Sequence, residues 1–200
     1  MIYLEKKQED FKSSDFALII SYLKAGKVVI LPSDTIYGLS CLATDKEAIK
    51  KIFNIKKRGI NKPMINLISS LNMANHYAYL TNKEKLYLHD IWLKKSLAVT
   101  VILKSRNNLP LGAISSSGGI SMRLPKSDFL IKIIRRVGVP IISTSLNLSG
   151  EKVINDLNLL NSIFLGKNKP DLIVNTGKSV KKKPSRLIDL REEKIKIIRK

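Results

Sequence analysis

Two hundred residues suit one domain, or one with a small appendage, and a hydrophobic fraction of 44% is enough for a substantial core. With 36 basic against 16 acidic residues the formal net charge is +20, which attracts polyanions such as RNA and phosphorylated ligands. A single cysteine, Cys41, excludes an intramolecular disulfide, and two histidines leave no metal-ligand cluster at a recognisable spacing. Without a long apolar span or a signal peptide, the expected location is cytoplasmic, with no membrane partner.

Residues 1–26 begin with a polar stretch and continue as an amphipathic helix. Phe16, Ile19, Ile20 and Leu23 lie on one face and Gly26 is the stop. The apolar run Val28-Val29-Ile30-Leu31 reads as a buried strand that ends at Pro32 and opens into a hydroxyl-rich loop, Ser33-Asp34-Thr35. Strand ends of this kind are where alpha/beta proteins bind ligands. Thr44 and Glu47 suit a capping box for the next helix, whose stripe Ile49, Ile52, Phe53 continues one turn later onto Lys56. A lysine on that face needs a partner, since a buried ammonium alone is costly. Alternatively, Lys56 and Arg58 only complement the helix C-terminus, which Gly59 would end.

Met64 to Ile68 is a second expected strand, followed by helices around Met73 to Leu80 and Thr81 to Trp92, the latter boxed by Thr81 and Glu84. Leu97 to Leu103 reads as a strand. After the flexible Ser115 to Gly119, alternation sets Ile120, Met122 and Leu124 on one side of a strand, with Ser121 and Arg123 on the other. Arg123 is then either a solvated arginine or a fork for a carboxylate or phosphate. Ser127 caps a helix with the stripe Phe129, Leu130, Ile133, Ile134, Val137, closed by Gly138. Val139 to Ile142 is a buried strand running into Ser143, Ser145 and Asn147, which share a face if the extended form continues, or else satisfy a turn. A helix near Asp156 to Leu165 and strands at Asp171 to Val174, Arg186 to Leu190 and Lys194 to Ile198 complete the chain. Lysines are spread along it, with Lys181-Lys182-Lys183 as a local run. No repeat or linker divides it, so residues 1–200 are expected to form one domain.

Four stretches in this order carry a resemblance. Leu31 to Leu39, then Lys56-Lys57-Arg58 with Lys62-Pro63, then Ser121 to Pro125, then Ser143 to Gly150 closely resemble the YrdC-domain family, over about Gly26 to Arg199. These are the threonylcarbamoyl-AMP synthases of tRNA modification, and the length resembles their short form. The resemblance implies an α/β fold, a single-domain twisted mixed sheet with flanking helices and a basic concave groove. It implies a nucleotidyltransferase that makes threonylcarbamoyl-AMP and pyrophosphate from L-threonine, bicarbonate and ATP. A separate transferase complex then passes the group to tRNA, giving t6A. It also implies Mg2+ held mainly by the nucleotide, and no covalent nucleophile.

By the same resemblance Lys56 and Arg58 match the K-x-R signature as catalytic, phosphate-binding cations. Ser145 and Asn147 match S-x-N at the nucleotide, and Arg199 closes over ATP. Arg123 pairs with the threonine carboxylate, with Ser33, Thr35, Ser143 and Ser185 nearby. The chain departs from the family in four places: Ser33 for threonine, Leu146 for a small residue, Ser96-Leu97-Ala98 for Pro-Gly-Pro, and Leu67 near a place where some members have histidine. The alternative function is a non-catalytic RNA-binding or ribosome-associated module on the same fold, for which cations suffice and no Ser and Asn pair is needed. A carbamoyl-transfer domain of a hydrogenase-maturation protein fits less well, since that protein carries further domains.

Overall fold

The computed structural model describes residues 2–59, 63–94, 97–154, 157, 160–164, 168–177, 184–192 and 194–199. Lys62, Ser96, Lys181-Lys182-Lys183 and much of the helix expected near Asp156 to Leu165 therefore lie outside the described residues.

In chain order the elements are β1 (Ile2–Glu5), α1 (Ser13–Lys24), β2 (Val29–Leu31), β3 (Gly38–Leu42), α2 (Lys46–Lys56), β4 (Ile65–Leu67), α3 (Leu71–Tyr77) and α4 (Asn82–His89), which continues as a π turn over Asp90–Lys94. There follow β5 (Val99–Lys104), β6 (Gly119–Arg123), α5 (Asp128–Val137), β7 (Ile141–Ser145), α6 (Leu160–Ile163), β8 (Leu172–Asn175), β9 (Arg186–Asp189) and β10 (Lys196–Arg199). The strands form one mixed sheet in the order β1-β8-β2-β3-β7-β4-β6-β5-β9-β10. β1, β8 and β2 run parallel, as do β4 with β6 and β5 with β9; the other neighbours are antiparallel.

Each face of the sheet has its own core. On one, Phe16, Ile19 and Leu23 of α1 and Phe129, Leu130, Ile133, Ile134 and Val137 of α5 pack over Val29, Leu31, Leu67, Ile141, Leu172 and Val174. Phe129 makes edge and tilted contacts with Phe11 and Phe16, at centroid distances of 5.0 and 5.2 Å. On the other face, Ile49, Ile52 and Phe53 of α2 join Trp92, Ile30, Leu39, Cys41 and Val101. Helix α5 forms as its sequence dictates: Ser127 Oγ accepts from the Leu130 N–H, and Gly138 closes the helix in the left-handed region at φ 80°. Each fully buried side chain of its stripe is worth roughly 1.5–3 kcal/mol.

Several local expectations shift. The cap of α2 is Asp45, whose carboxylate accepts from the Ala48 N–H at 2.9 Å, rather than Thr44, because the helix begins one residue later. The same helix ends at Lys57 in the left-handed region (φ 50°), two residues before Gly59. Two strands were not anticipated. The polar start contains β1, whose backbone pairs with β8 while its side chains are largely exposed, and the polar loop after β2 turns back as β3. Their signals are short: β1 carries only the run Ile2-Tyr3-Leu4, and in β3 Leu39 and Cys41 alternate with Gly38 and Ser40.

Candidate active site

The face covered by α1 and α5 at one end opens at the other into a cleft of about 360 Å3. Strand alternation builds its floor. Asn66 on β4 stands opposite Met122 on β6 and Ile142 on β7, so the intervening Ile65, Ser121, Arg123, Ser143 and Ser145 turn toward the cleft. Gly38 on β3 allows the floor to be this flat, since a Cβ there would overlap Ser143 Oγ. Gly38→Ala is accordingly expected to lose about 1–3 kcal/mol of stability through overpacking, read as a lower midpoint in urea unfolding.

Eight sequence-predicted residues line this cleft: Ser33, Thr35, Arg58, Arg123, Ser143, Ser145, Ser185 and Arg199. Among them are three guanidinium groups from three distant parts of the chain. Arg123 is only 4% exposed, so it is no solvated surface arginine. Its Nη1 donates to Thr35 Oγ1 at 3.2 Å and its Nη2 lies 3.3 Å from Asp34 Oδ1, while its Nε has no protein partner. Burial lowers its pKa, opposed by Asp34 and reinforced by the charge of Arg199, and an arginine nevertheless stays protonated. Arg58 donates from Nη2 to Pro63 O at 3.3 Å and leaves Nε without a partner. Arg199 reaches back from β10 to donate to Ser185 O at 2.9 and 2.7 Å, and Ser185 Oγ lies 2.8 Å from Thr100 Oγ1. Guanidinium groups held together with donors unspent form a receptor for carboxylates and phosphates.

Lys56 and Asn147 do not line the cleft. The Lys56 ammonium, 2% exposed, spends its three hydrogens on Ser145 O at 2.6 Å, Asn147 O at 2.8 Å and Asn147 Oδ1 at 2.8 Å. Asn147 Oδ1 also accepts from Ser145 Oγ at 2.7 Å, and its Nδ2 donates to Glu151 O at 2.8 Å. Ser149 N returns a bond to Lys56 O at 2.8 Å. The lysine that continues the apolar stripe of α2 thus finds its partner in the loop after β7, and it shapes that loop from behind. In this structure the ammonium is thus directed at the loop, and it is not among the residues that line the cleft. With three acceptors facing its three hydrogens, the ammonium would exchange one of them to meet a phosphate. Burial, with Arg58 nearby, pushes its pKa down to about 8.

The loop after β2 is likewise held by its own side chains. Ser33 Oγ accepts from the Thr35 and Ile36 N–H groups at 3.1 Å and donates to Ile36 O at 2.6 Å, so its proton is spent within the turn. Ser143, by contrast, keeps a hydroxyl without a protein partner among the described residues. The described residues include no group of three or more His, Cys, Asp or Glu able to hold a metal, and no helix long and apolar enough to cross a membrane.

A family model described as telomere recombination, that of the Sua5, YciO and YrdC proteins, matches residues 21–200. The chain belongs to the Sua5/YciO/YrdC family. A protein of Methanocaldococcus jannaschii named a putative threonylcarbamoyl-AMP synthase is 33% identical over 186 residues, covering 90% of this chain and 84% of that one. A threonylcarbamoyl-AMP synthase of Wigglesworthia glossinidia brevipalpis is 31% identical over 151 residues, covering 76% and 77%. Among solved structures, E. coli YciO superposes with a TM-score of 0.81 at 23% identity, over 99% of this chain and 93% of that one. P. abyssi Sua5 complexed with L-threonine superposes at 0.83 and 24% identity over 97% of this chain, which spans 55% of that one. The fold expected from the sequence is thereby the fold observed.

The departures from the family pattern fall in different places. Leu146 is fully buried in the core beneath α2, so the side chain of the S-x-N loop is absorbed inward. Leu67 points beneath α1 and α5 and not into the cleft. Of Ser96-Leu97-Ala98, Leu97 is exposed, and Ala98 O accepts from Arg186 N at 2.9 Å. Residues passed over in the sequence are Asp34, which faces Arg123, and Tyr37, whose hydroxyl donates to Gly177 O at 2.8 Å beside the cleft. A carboxylate between two hydroxyl residues in a strand-end loop was the available signal for Asp34.

Proposed function

We propose that this chain is an L-threonylcarbamoyladenylate synthase, a nucleotidyltransferase acting as one YrdC-like domain in the cytoplasm for t6A modification of tRNA. The observation that carries this reading is the convergence of Arg58, Arg123 and Arg199 on one cleft beside the hydroxyl of Ser143, which has no partner among the described residues. The reaction needs such a place. The threonine amine adds to bicarbonate, water leaves, and the resulting carbamate oxygen attacks the α-phosphorus of ATP while the bond to the β-phosphate breaks and pyrophosphate departs. Two anions must be held against their repulsion, and charge builds on the phosphoryl oxygens.

In this reading Arg123, steadied by Asp34 and Thr35, takes the threonine carboxylate, with Ser143 and Ser185 beside the amino acid and Ser33 shaping the turn. Arg58 and Arg199 take the triphosphate. Ser145 and Asn147 present the nucleotide-facing loop that Lys56 holds. Among the described residues there is no carboxylate cage for Mg2+, and Asp34 faces Arg123, so the ion would travel on the phosphates and neutralise them. The product would pass to a threonylcarbamoyl transferase complex.

Purified protein with ATP, magnesium and bicarbonate should release pyrophosphate when L-threonine is added, and markedly less with serine. Absence of threonine-dependent release from folded protein would overturn the reading. Salt-sensitive RNA binding without turnover would then favour the non-catalytic module.

A further inference from the structure

We infer that Thr100, which does not itself line the cleft, is a positioning residue that fixes the direction of the Ser185 hydroxyl and so makes Ser185 a donor to an anionic oxygen of the amino acid. The inference rests on the synthase reading and adds a residue to it. Thr100 on β5 is paired with Leu187 on β9, and Leu187 lines the cleft, so the pleat turns both residues to that face. Thr100 nevertheless has no exposed surface. Ser185, just before β9, stands against it with the two hydroxyl oxygens 2.8 Å apart, and Ser185 is the one that reaches the cleft.

Counting protons gives this contact a direction. Thr100 Oγ1 has no other partner among the described residues, whereas Ser185 Oγ also accepts from Arg199 Nη2 at 3.3 Å. If Ser185 donated to Thr100, the Thr100 proton would be left unsatisfied in a fully buried place, at the cost of desolvating a donor without a bond. Thr100 is therefore the donor. Ser185 Oγ then receives two hydrogens, one from Thr100 and one from Arg199, and its own proton has the cleft to turn to. A hydroxyl whose lone pairs are both engaged offers a hydrogen to an anion and nothing to an amine. Arg199 is anchored chiefly elsewhere, through Ser185 O, which accepts from its Nε at 2.9 Å and its Nη2 at 2.7 Å. Loss of the Thr100 hydroxyl alone therefore leaves the arginine in place.

The test is a double-mutant cycle on Thr100→Val and Ser185→Ala, read by calorimetric titration with L-threonine and by the KM and kcat of pyrophosphate release. Thr100→Val keeps the shape of the side chain and removes the donor. It should raise the threonine Kd and KM roughly 3- to 10-fold and leave the ATP KM unchanged. Thr100→Ala, a second variant without the hydroxyl, should weaken threonine in the same way, and Thr100→Ser, which restores it, should recover the wild-type affinity. In a Ser185→Ala background Thr100→Val should have no further effect on threonine binding, because the hydroxyl it directs is gone. A contact that only ties β5 to β9 would lower the melting temperature and leave threonine affinity alone. Unaltered threonine affinity in folded Thr100→Val or Thr100→Ala, failure of Thr100→Ser to recover it, or effects that add in the double variant would each overturn the inference. If the wild type releases pyrophosphate on addition of threonine, such a result leaves the synthase reading standing; a folded wild type that binds no threonine overturns both.

Discussion

Arg123→Ala is expected to raise the threonine KM roughly 10- to 100-fold while changing the ATP KM little, because charge-assisted hydrogen bonds to a carboxylate contribute about 1.5–3 kcal/mol. The geometry explains the selectivity. The guanidinium is buried, held by Thr35 on one nitrogen and set against Asp34 on another, and only its remaining donors can turn to a ligand. Arg123→Lys keeps the charge and loses the planar fork, so it should recover only part of the affinity. Arg123→Ala also strands a carboxylate that is 4% exposed. The double variant Asp34→Asn, Arg123→Ala should therefore regain stability without regaining threonine binding. Steady-state kinetics with each substrate varied separately decide the matter. An unaltered threonine KM in a folded Arg123→Ala protein would remove the carboxylate role.

The largest loss of stability is expected from Lys56→Ala. Removing the ammonium leaves Ser145 O, Asn147 O and Asn147 Oδ1 each without that donor, at about 1–3 kcal/mol for a buried group left unsatisfied. In a chain of this size the melting temperature falls roughly 2–4 °C per kcal/mol, so a fall on the order of 10 °C is expected. Activity should fall with it, since the loop bearing Ser145 faces the cleft. Lys56→Met fills most of the space and should be nearly as damaging, which separates the lost hydrogen bonds from a cavity.

The same lysine has a pH signature. With a folded pKa near 8 against an ordinary value of 10.5, the penalty for its charge is fully present below about pH 8 and fades as pH rises toward 10.5. Across that window the unfolded chain binds more protons, so the wild type should gain stability relative to Lys56→Met. Melting curves of the two proteins from pH 7 to 10 will show the gap widening; a constant gap would place the Lys56 pKa outside the window.

Comparing individual residues shows how far the sequence could be read. The stripe of α5 with Ser127 and Gly138, the box of Thr81 and Glu84, and the alternation of Ser121 and Arg123 against Ile120 and Met122 all stand in the structure as read. Each depends on neighbours within four residues, where capping geometry and the periods of helix and strand act directly. The need of Lys56 for a partner was legible for the same reason, as a cation on an apolar stripe. Its partner was not. The failures share a cause: β1 and β3 are strands because an adjacent strand offers hydrogen bonds, and their own runs, Ile2-Tyr3-Leu4 and Leu39 to Leu42, are too short to mark them alone.

By itself, then, the sequence determined the elements with a strong local pattern, the residue types of the cleft and the family to which they belong. Only the tertiary structure decided that Asp34 meets Arg123, that Lys56 turns to Ser145 and Asn147 instead of the cleft, and that Thr100 stands against Ser185. Sheet register is the physical reason. Pairing β4 with β6 and β7 in one frame brings Ile65, Ser121 and Ser143 to the same face, and a slip of one residue would bury them on the opposite side.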